Sequence, residues 1–293
     1  MIKIAISGSS GLVGSRVVEL LQDKFEFIPL QQKETDITNK NQVYQFFKDN
    51  RFDFFLHLAA YTNVDQAEKE KKKAWQVNVE GTKNLFEASE DKKVKFIYIS
   101  TDFVFDGKQP PFFEDSKPHP ISYYGLTKYE GEKIINSQGM IVRIAYPYRS
   151  WFDKKKDFIR FLIGLLKENQ KLTMVKDALI TPTFIDDIAY GLEYLIENYS
   201  PEIFHLVGSQ TLSPLKAGTL IAKVFNFPTH LIQQISYNDY FKNKAKRPQF
   251  SEIKSKKNYF YSMKSFEEGL ATIKKQLKNC EVTEMKVDYD NWS

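Results

Sequence analysis

The chain has 293 residues, 42% of them hydrophobic and 27% charged, with a formal net charge of +5; this is length enough for one large or two modest domains, and an ordinary globular composition. Its single cysteine, Cys280, excludes an internal disulfide and a cysteine-based metal motif; no apolar run approaches the ~20 residues of a membrane helix and the opening MIKIAISGSS lacks a signal-peptide pattern, so a cytoplasmic, enzyme-like protein without a metal is expected. The lysines of 69–73, 154–156 and 242–257 are spread over distant segments and interleaved with acids, which fits solvated surface better than a nucleic-acid face.

Residues 2–7 (IKIAIS) read as a buried strand running straight into Gly8-Ser-Ser-Gly11-Leu-Val-Gly14 and then an amphipathic helix through about residue 23. Strand, glycine loop and helix in that order present backbone N–H groups and a helix N-terminus to a pyrophosphate. Residues 25–30 are the second strand. An NAD-preferring unit places an acid at its end for the ribose 2′-hydroxyl; here Gln31, Gln32 and Lys33 follow, and with Arg16 nearby they favour a 2′-phosphate and hence NADPH, NADH staying possible. Thr38 or Asn39 caps the next predicted helix. Residues 52–58 form the third strand, with His57 as a core histidine, and the small residues after it suit close approach by a cofactor. Residues 63–90 read as one long helical stretch.

The segment KFIYISTDFVFDGKQPPFFEDSKPHPISYYGLTKYEGE, residues 95–132, carries the chemistry. A strand over 96–99 exits at Thr101 and Asp102, a loop follows, and a helical pattern starts near residue 123. Tyr124 and Lys128 are four apart and share one helix face. A phenol has an unperturbed pKa of about 10; an ammonium one turn away favours the phenolate and eases proton exchange. Thr101 can hydrogen-bond the same carbonyl oxygen, so the group suits a carbonyl that receives a hydride. Residues 140–144 are a further strand. From about 146 the alternation weakens: a helix over 158–167, a possible strand at 172–175, a helix after TPTFIDD (181–187), a strand at 204–207, a helix through Phe225, and an irregular basic stretch around Arg247-Pro248. The expected fold is α/β, a Rossmann-type doubly wound parallel sheet over 1–146. A smaller mixed α/β substrate lobe over 147–293 partly re-enters the first.

The phrases GSSGLVG, AAYTNVDQAE, VNVEGTKNL, ISTDFVFDG, YYGLTKYEGE, TPTFIDDIA and KRPQFSEIK run in order from residue 8 to about 254. In them the chain resembles the extended short-chain dehydrogenase/reductase superfamily, and within it the dTDP-4-dehydrorhamnose reductases. The resemblance implies Thr101, Tyr124 and Lys128 as catalytic group, with hydride passing from the nicotinamide to C4 of a keto sugar and the tyrosine supplying the proton. It implies Gly8, Gly11, Leu12 and Gly14 around the pyrophosphate, Asp36 and Ile37 by the adenine, and Ala59, Ala60, Tyr61 and Lys128 along the coenzyme. Thr62, Val64, Asp102, Tyr146 and Arg247 are implied on the sugar side, the substrate being a nucleotide-diphosphate sugar and the assembly a homodimer through the helices of 64–90 and 123–136. Two positions depart from the family: Phe103 where a Tyr is common, and Tyr146 where a Trp is common. A nucleotide-sugar epimerase and a non-catalytic partner resembling the methionine adenosyltransferase regulatory subunit are the competing expectations. A dehydratase typically carries Asp-Glu after the active-site threonine; here Phe103 follows Asp102.

Overall fold

Side-chain alternation along the N-terminal strands decides the architecture. Ile4 and Ile6 face one way and Ala5 the other; Ile97 and Ile99 oppose Phe96 and Tyr98, the period-two pattern of a strand buried on both faces. In the computed structural model, which describes residues 1–154 and 156–278, the first half runs β1 (Ile2–Ser7), α1 (Gly14–Leu21), β2 (Phe25–Leu30), α2 (Lys40–Asp49) and β3 (Phe54–His57). Next come α3 (Val64–Lys69), α4 (Lys71–Trp75), α5 (Thr82–Lys92), β4 (Lys95–Thr101), α6 (Tyr123–Ile135) and β5 (Met140–Ile144). The second half holds β6 (Pro147–Tyr148), α7 (Phe158–Lys167), β7 (Leu172–Val175), β8 (Thr183–Phe184), α8 (Ile185–Glu197) and β9 (Ile203–His205). It ends with α9 (Pro214–Val224), β10 (Ile232–Ile235), α10 (Tyr237–Phe241) and α11 (Phe266–Lys278). Lys155 of the lysine cluster and Cys280 lie outside the described residues.

Six parallel strands form one sheet in the order β2-β1-β3-β4-β5-β9. The order reverses between β1 and β3, and a crevice opens at the carboxyl ends there. Val17 and Leu21 of α1 and Ile188, Leu192 and Leu195 of α8 cover one face. Val43 and Phe47 of α2, Leu85 and Phe86 of α5 and Ile135 of α6 cover the other. Phe47, Phe55 and Phe96 stack in a row at 5.2 and 5.7 Å between ring centroids, each burial worth ~1.5–3 kcal/mol. Thus α8 and β9, from the second half of the chain, complete the first half's sheet. A separate core of Tyr148, Leu162, Leu172, Phe184, Ile221, Phe266 and Leu270 lies within the second half. Among the described residues no helix is long and apolar enough to cross a membrane.

The expected single helix over 63–90 is broken. Glu70 leaves helical geometry at φ −102°, ψ 47°, its carboxylate accepting from Tyr61 Oη at 3.1 Å and Gln66 Nε2 at 2.6 Å. Residues 76–81 then widen into a π turn, a distortion that often serves a site. Here it carries Asn78 inward, where Oδ1 accepts from Tyr61 N at 2.7 Å and Nδ2 donates to Tyr61 O at 3.1 Å and Thr127 Oγ1 at 2.9 Å. That tie fixes the exit of β3 against α6.

Candidate active site

Gly8 sits at φ +75°, and a Cβ there would lie 2.7 Å from Ala59 N; a Cβ on Gly14 would lie 2.2 Å from Gly8 O. Only glycine lets the loop turn at the first position and α1 close on it at the second. No side chain caps α1 at Val13; Ser15 N donates to Gly11 O at 3.0 Å, and the positive end of the helix is left facing the site of an anion. The loop forms one wall of a cavity of about 1020 Å³. Gly8, Gly11, Leu12 and Gly14 line it, as do Asp36 and Ile37 further along and Ala59, Ala60 and Tyr61 opposite. The Asp36 carboxylate is turned to Thr38, accepting from its N and Oγ1 at 2.9 Å each; Ile37 packs where Gly81 leaves no room for a Cβ. A dinucleotide fits this cradle.

Gln31, Gln32 and Lys33 also face the cavity, at the end of β2. Arg16 does not: its guanidinium pairs with both Asp186 oxygens at 2.7 and 2.8 Å and with Glu19 at 3.0 Å. The expectation that Arg16 helps read a 2′-phosphate is therefore corrected, because α8 supplies it a carboxylate from 170 positions away.

Thr101, Tyr124 and Lys128 converge on the cavity floor. Ser122 caps α6, accepting from Gly125 N at 3.1 Å, and Thr127 Oγ1 donates to Tyr124 O at 2.8 Å. The Tyr124 ring meets Phe103 edge-on at 5.6 Å. Burial raises the phenol above its usual range; a hydrogen bond with Thr101 opposes this and the nearby Asp102 adds to it. Lys128 Nζ donates to Ile99 O at 2.8 Å and lies 3.9 Å from the centre of the Tyr98 ring. Burial pushes Lys128 down to about 7, with Glu132, one turn on, pulling it back up. The expected lowering of the tyrosine by the lysine does not arise in this arrangement: burial dominates, and Lys128 is not among the groups that shift the phenol. A buried phenol that keeps its proton at neutral pH is an acid in reserve, as reduction of a carbonyl requires.

On the other side Thr62, Val64, Asp102, Phe103 and Tyr146 line the cavity. Tyr146 sits at φ +41°, and Thr183 N donates to its carbonyl at 3.2 Å, so the TPT segment holds the aromatic in place. Arg247 is not brought to the cavity: it pairs with Asp65 at 3.0 and 2.7 Å and lies over the Phe241 ring. Sequence reasoning passed over Asn78, Glu132 and Ser251. Glu132 had a local signal, its i+4 spacing from Lys128; Ser251 had none.

Asp102 is 2% exposed, and burial raises it to about 6 against hydrogen bonds from Ser251 and Thr101. His57 is satisfied in the core by Ser7 Oγ at 2.7 Å and Thr82 Oγ1 at 3.0 Å, and burial holds it well below the usual histidine range; His205 is pushed down to about 4, chiefly by burial and then by Arg143. A buried neutral histidine contributes stability above its unfolded pKa of about 6.5, and that contribution is lost as pH falls toward the folded value. Asp102 works the other way, binding its proton more tightly when folded. Thermal stability is thus expected to fall between pH 6.5 and 5. The fall should be shallower in His57→Gln and steeper in Asp102→Asn; equal slopes in calorimetry across that window would contradict the assignment.

Known proteins are similar to this chain in sequence and fold. The family described as RmlD substrate binding domain matches residues 2–279. A dTDP-4-dehydrorhamnose reductase from Aggregatibacter actinomycetemcomitans is 32% identical over 225 residues, 73% of this chain and 76% of the relative. The crystal structure of dTDP-4-dehydrorhamnose reductase from Bacillus anthracis str. Ames in complex with NADP superposes with a TM-score of 0.87 at 31% identity, covering 94% of this chain and 100% of the other. Methionine adenosyltransferase 2 subunit beta from Bos taurus is 27% identical over 251 residues, 80% of this chain and 75% of the relative.

Proposed function

The chain belongs to the RmlD substrate binding domain family, and on that premise we propose both its reaction and the residues that carry it. The reaction is NADPH-dependent reduction of the C4 ketone of a nucleotide-linked deoxy sugar, as in a dTDP-4-dehydrorhamnose reductase. The carrying observation is the convergence of Thr101, Tyr124 and Lys128 beside an uncapped helix terminus and a glycine cradle in one cavity. When bound, the coenzyme supplies the hydride. Tyr124, protonated through its burial, gives its proton to the C4 oxygen, and the Thr101 hydroxyl, which donates to Asp102 at 3.0 Å, orients that oxygen when Asp102 is protonated and releases it. Lys128 brings a cation to the coenzyme side, with Glu132 supporting its charge. Phe103 and Tyr146 offer aromatic faces to the sugar without the hydroxyl and indole N–H common in the family.

Absorbance at 340 nm, with NADPH or NADH and dTDP-4-dehydrorhamnose generated in situ, tests the reading. Stoichiometric oxidation supports it. A sugar product without net oxidation would mean an epimerase instead, and no oxidation with coenzyme bound would favour a binding subunit. Lys33→Ala is expected to raise the KM for NADPH about tenfold, the scale of one charged hydrogen bond, and to leave NADH unaffected. An equal effect on both coenzymes would remove Lys33 from the 2′-phosphate.

The same proposal takes 1–146 as the coenzyme lobe, residues from 147 on mainly as the substrate lobe, and the cytoplasm as the setting. It includes a homodimer through the 64–90 and 123–136 helices, which a monomeric mass in sedimentation equilibrium would exclude.

A further inference from the structure

Ser251 is 3% exposed and does not line the cavity, yet its hydroxyl donates to Asp102 Oδ2. The other carboxylate oxygen, Oδ1, accepts from Thr101 Oγ1 at 3.0 Å, and Thr101 stands beside the Tyr124 phenol on the cavity floor, where it acts on the phenol's proton. Two hydroxyls and one carboxylate therefore link the second half of the molecule to Thr101, the neighbour of the proton donor. Its far end is anchored. Ser251 N donates to Leu179 O at 2.9 Å, and Thr181 Oγ1 donates to Ser251 O at 3.1 Å and accepts from Ile253 N at 3.3 Å. Phe112 brackets the same segment, its N donating to Glu252 O and its O accepting from Lys254 N, both at 2.9 Å.

We propose that Ser251 is a positioning residue for the reduction: by holding the Asp102 carboxylate it fixes the rotamer of Thr101 against Tyr124, and it sets the pH at which Thr101's hydrogen is released from Asp102. This inference rests on the proposed reaction. The chemistry follows from donor counting. A hydroxyl has one hydrogen. While Asp102 is ionised it takes the hydrogen of Thr101, whose oxygen can then only accept. Once Asp102 is protonated, that hydrogen is free for the phenol or for a substrate oxygen. Ser251 and Thr101 are the two side-chain donors that favour the ionised form against burial. The titratable groups acting on or acted on by Asp102 are Tyr124 on α6 and Tyr146 after β5, and both keep their protons at neutral pH; Lys128, near 7 in the same cavity, titrates on the alkaline side of Asp102, and the carboxyl titration separates the two.

The test compares the full-length protein with Ser251→Ala and Ser251→Thr, using carbon-13 carboxyl titration with Asp102→Asn to assign the signal. The Asp102 midpoint near pH 6 is expected to rise by about one unit in Ser251→Ala, a donor to the charged form having been lost, and to return in Ser251→Thr. With keto sugar and NADPH, kcat measured well below the midpoint, where Asp102 is protonated in both proteins, should fall about tenfold as Thr101 loses its fixed rotamer, the pH inflection of kcat should move up with the midpoint, and the KM for NADPH should stay unchanged. An unmoved midpoint would overturn the proposal, as would a lowered melting temperature with an unmoved inflection, or a rise in sugar KM alone. Should the wild type fail to oxidise NADPH, the reaction assigned above falls, while the titration still decides whether Ser251 holds Asp102.

Discussion

Tyr124→Phe is expected to lower kcat by about 10³-fold, within the ~10²–10⁴ that a positioned proton donor supplies, while coenzyme binding and melting temperature stay close to the wild type. Phenylalanine keeps the ring that packs edge-on against Phe103 and the backbone that Thr127 secures, so the loss is confined to one hydroxyl. Lys128 is placed otherwise, its ammonium donating to the Ile99 carbonyl and lying over the Tyr98 ring. The same geometry assigns the pH profile. Burial holds Tyr124 above its usual range, so it stays protonated through neutral pH. Lys128, near 7, is the group that loses its charge first as pH rises. The basic limb of kcat/KM, which reports the free enzyme, is therefore expected near pH 7. A limb well above 10 would return it to the tyrosine. Near-wild-type turnover in Tyr124→Phe would remove that residue from the reaction.

What was legible in the sequence was local. The strand, glycine loop and helix over residues 2–21, the Tyr124/Lys128 spacing and the strand over 140–144 each need only a short window, because periodicity and turn chemistry act over a few residues. What escaped depends on partners far along the chain. Arg16 looked available for a phosphate until Asp186 closed on it, and Arg247 looked like a sugar contact until Asp65 took it. Ser251 is 149 positions from Asp102, and no pattern near either residue announces the other. The break at Glu70 and the π turn after it are of the same kind, since a helix-favouring stretch gives way where Tyr61 must be held. The final helix, α11, did carry a signal, Phe266, Leu270 and Ile273 on one face, but it belongs to a core that includes residues as distant as Tyr148.

Arg143→Met is expected to cost about 3–5 kcal/mol, the usual consequence of breaking a buried pair from one side, against a total stability of roughly 5–15 kcal/mol. Arg143 and Glu132 are 1% and 4% exposed as side chains. The guanidinium donates to both carboxylate oxygens at 2.9 and 2.7 Å, Ser100 Oγ donates to Glu132 Oε1 at 2.5 Å, and Arg143 lies over the Phe105 ring at 5.1 Å. Methionine restores the volume but leaves the buried Glu132 carboxylate without its two guanidinium hydrogen bonds. The pair also ties α6, which carries Tyr124 and Lys128, to β4 at Ser100 and to β5. Denaturant titration of Arg143→Met, Glu132→Gln and the double variant separates these effects. The double variant should be more stable than the sum of the single losses predicts, by a coupling of ~1–3 kcal/mol, because it no longer strands a charge. Strict additivity would mean that the two residues act independently. The chemistry offers a second reading of the same variants. Glu132 is the group that pulls Lys128 upward, so Glu132→Gln should move the basic limb of kcat/KM below pH 7, even where the protein remains folded. A limb that stays in place would confine Glu132 to holding the helix.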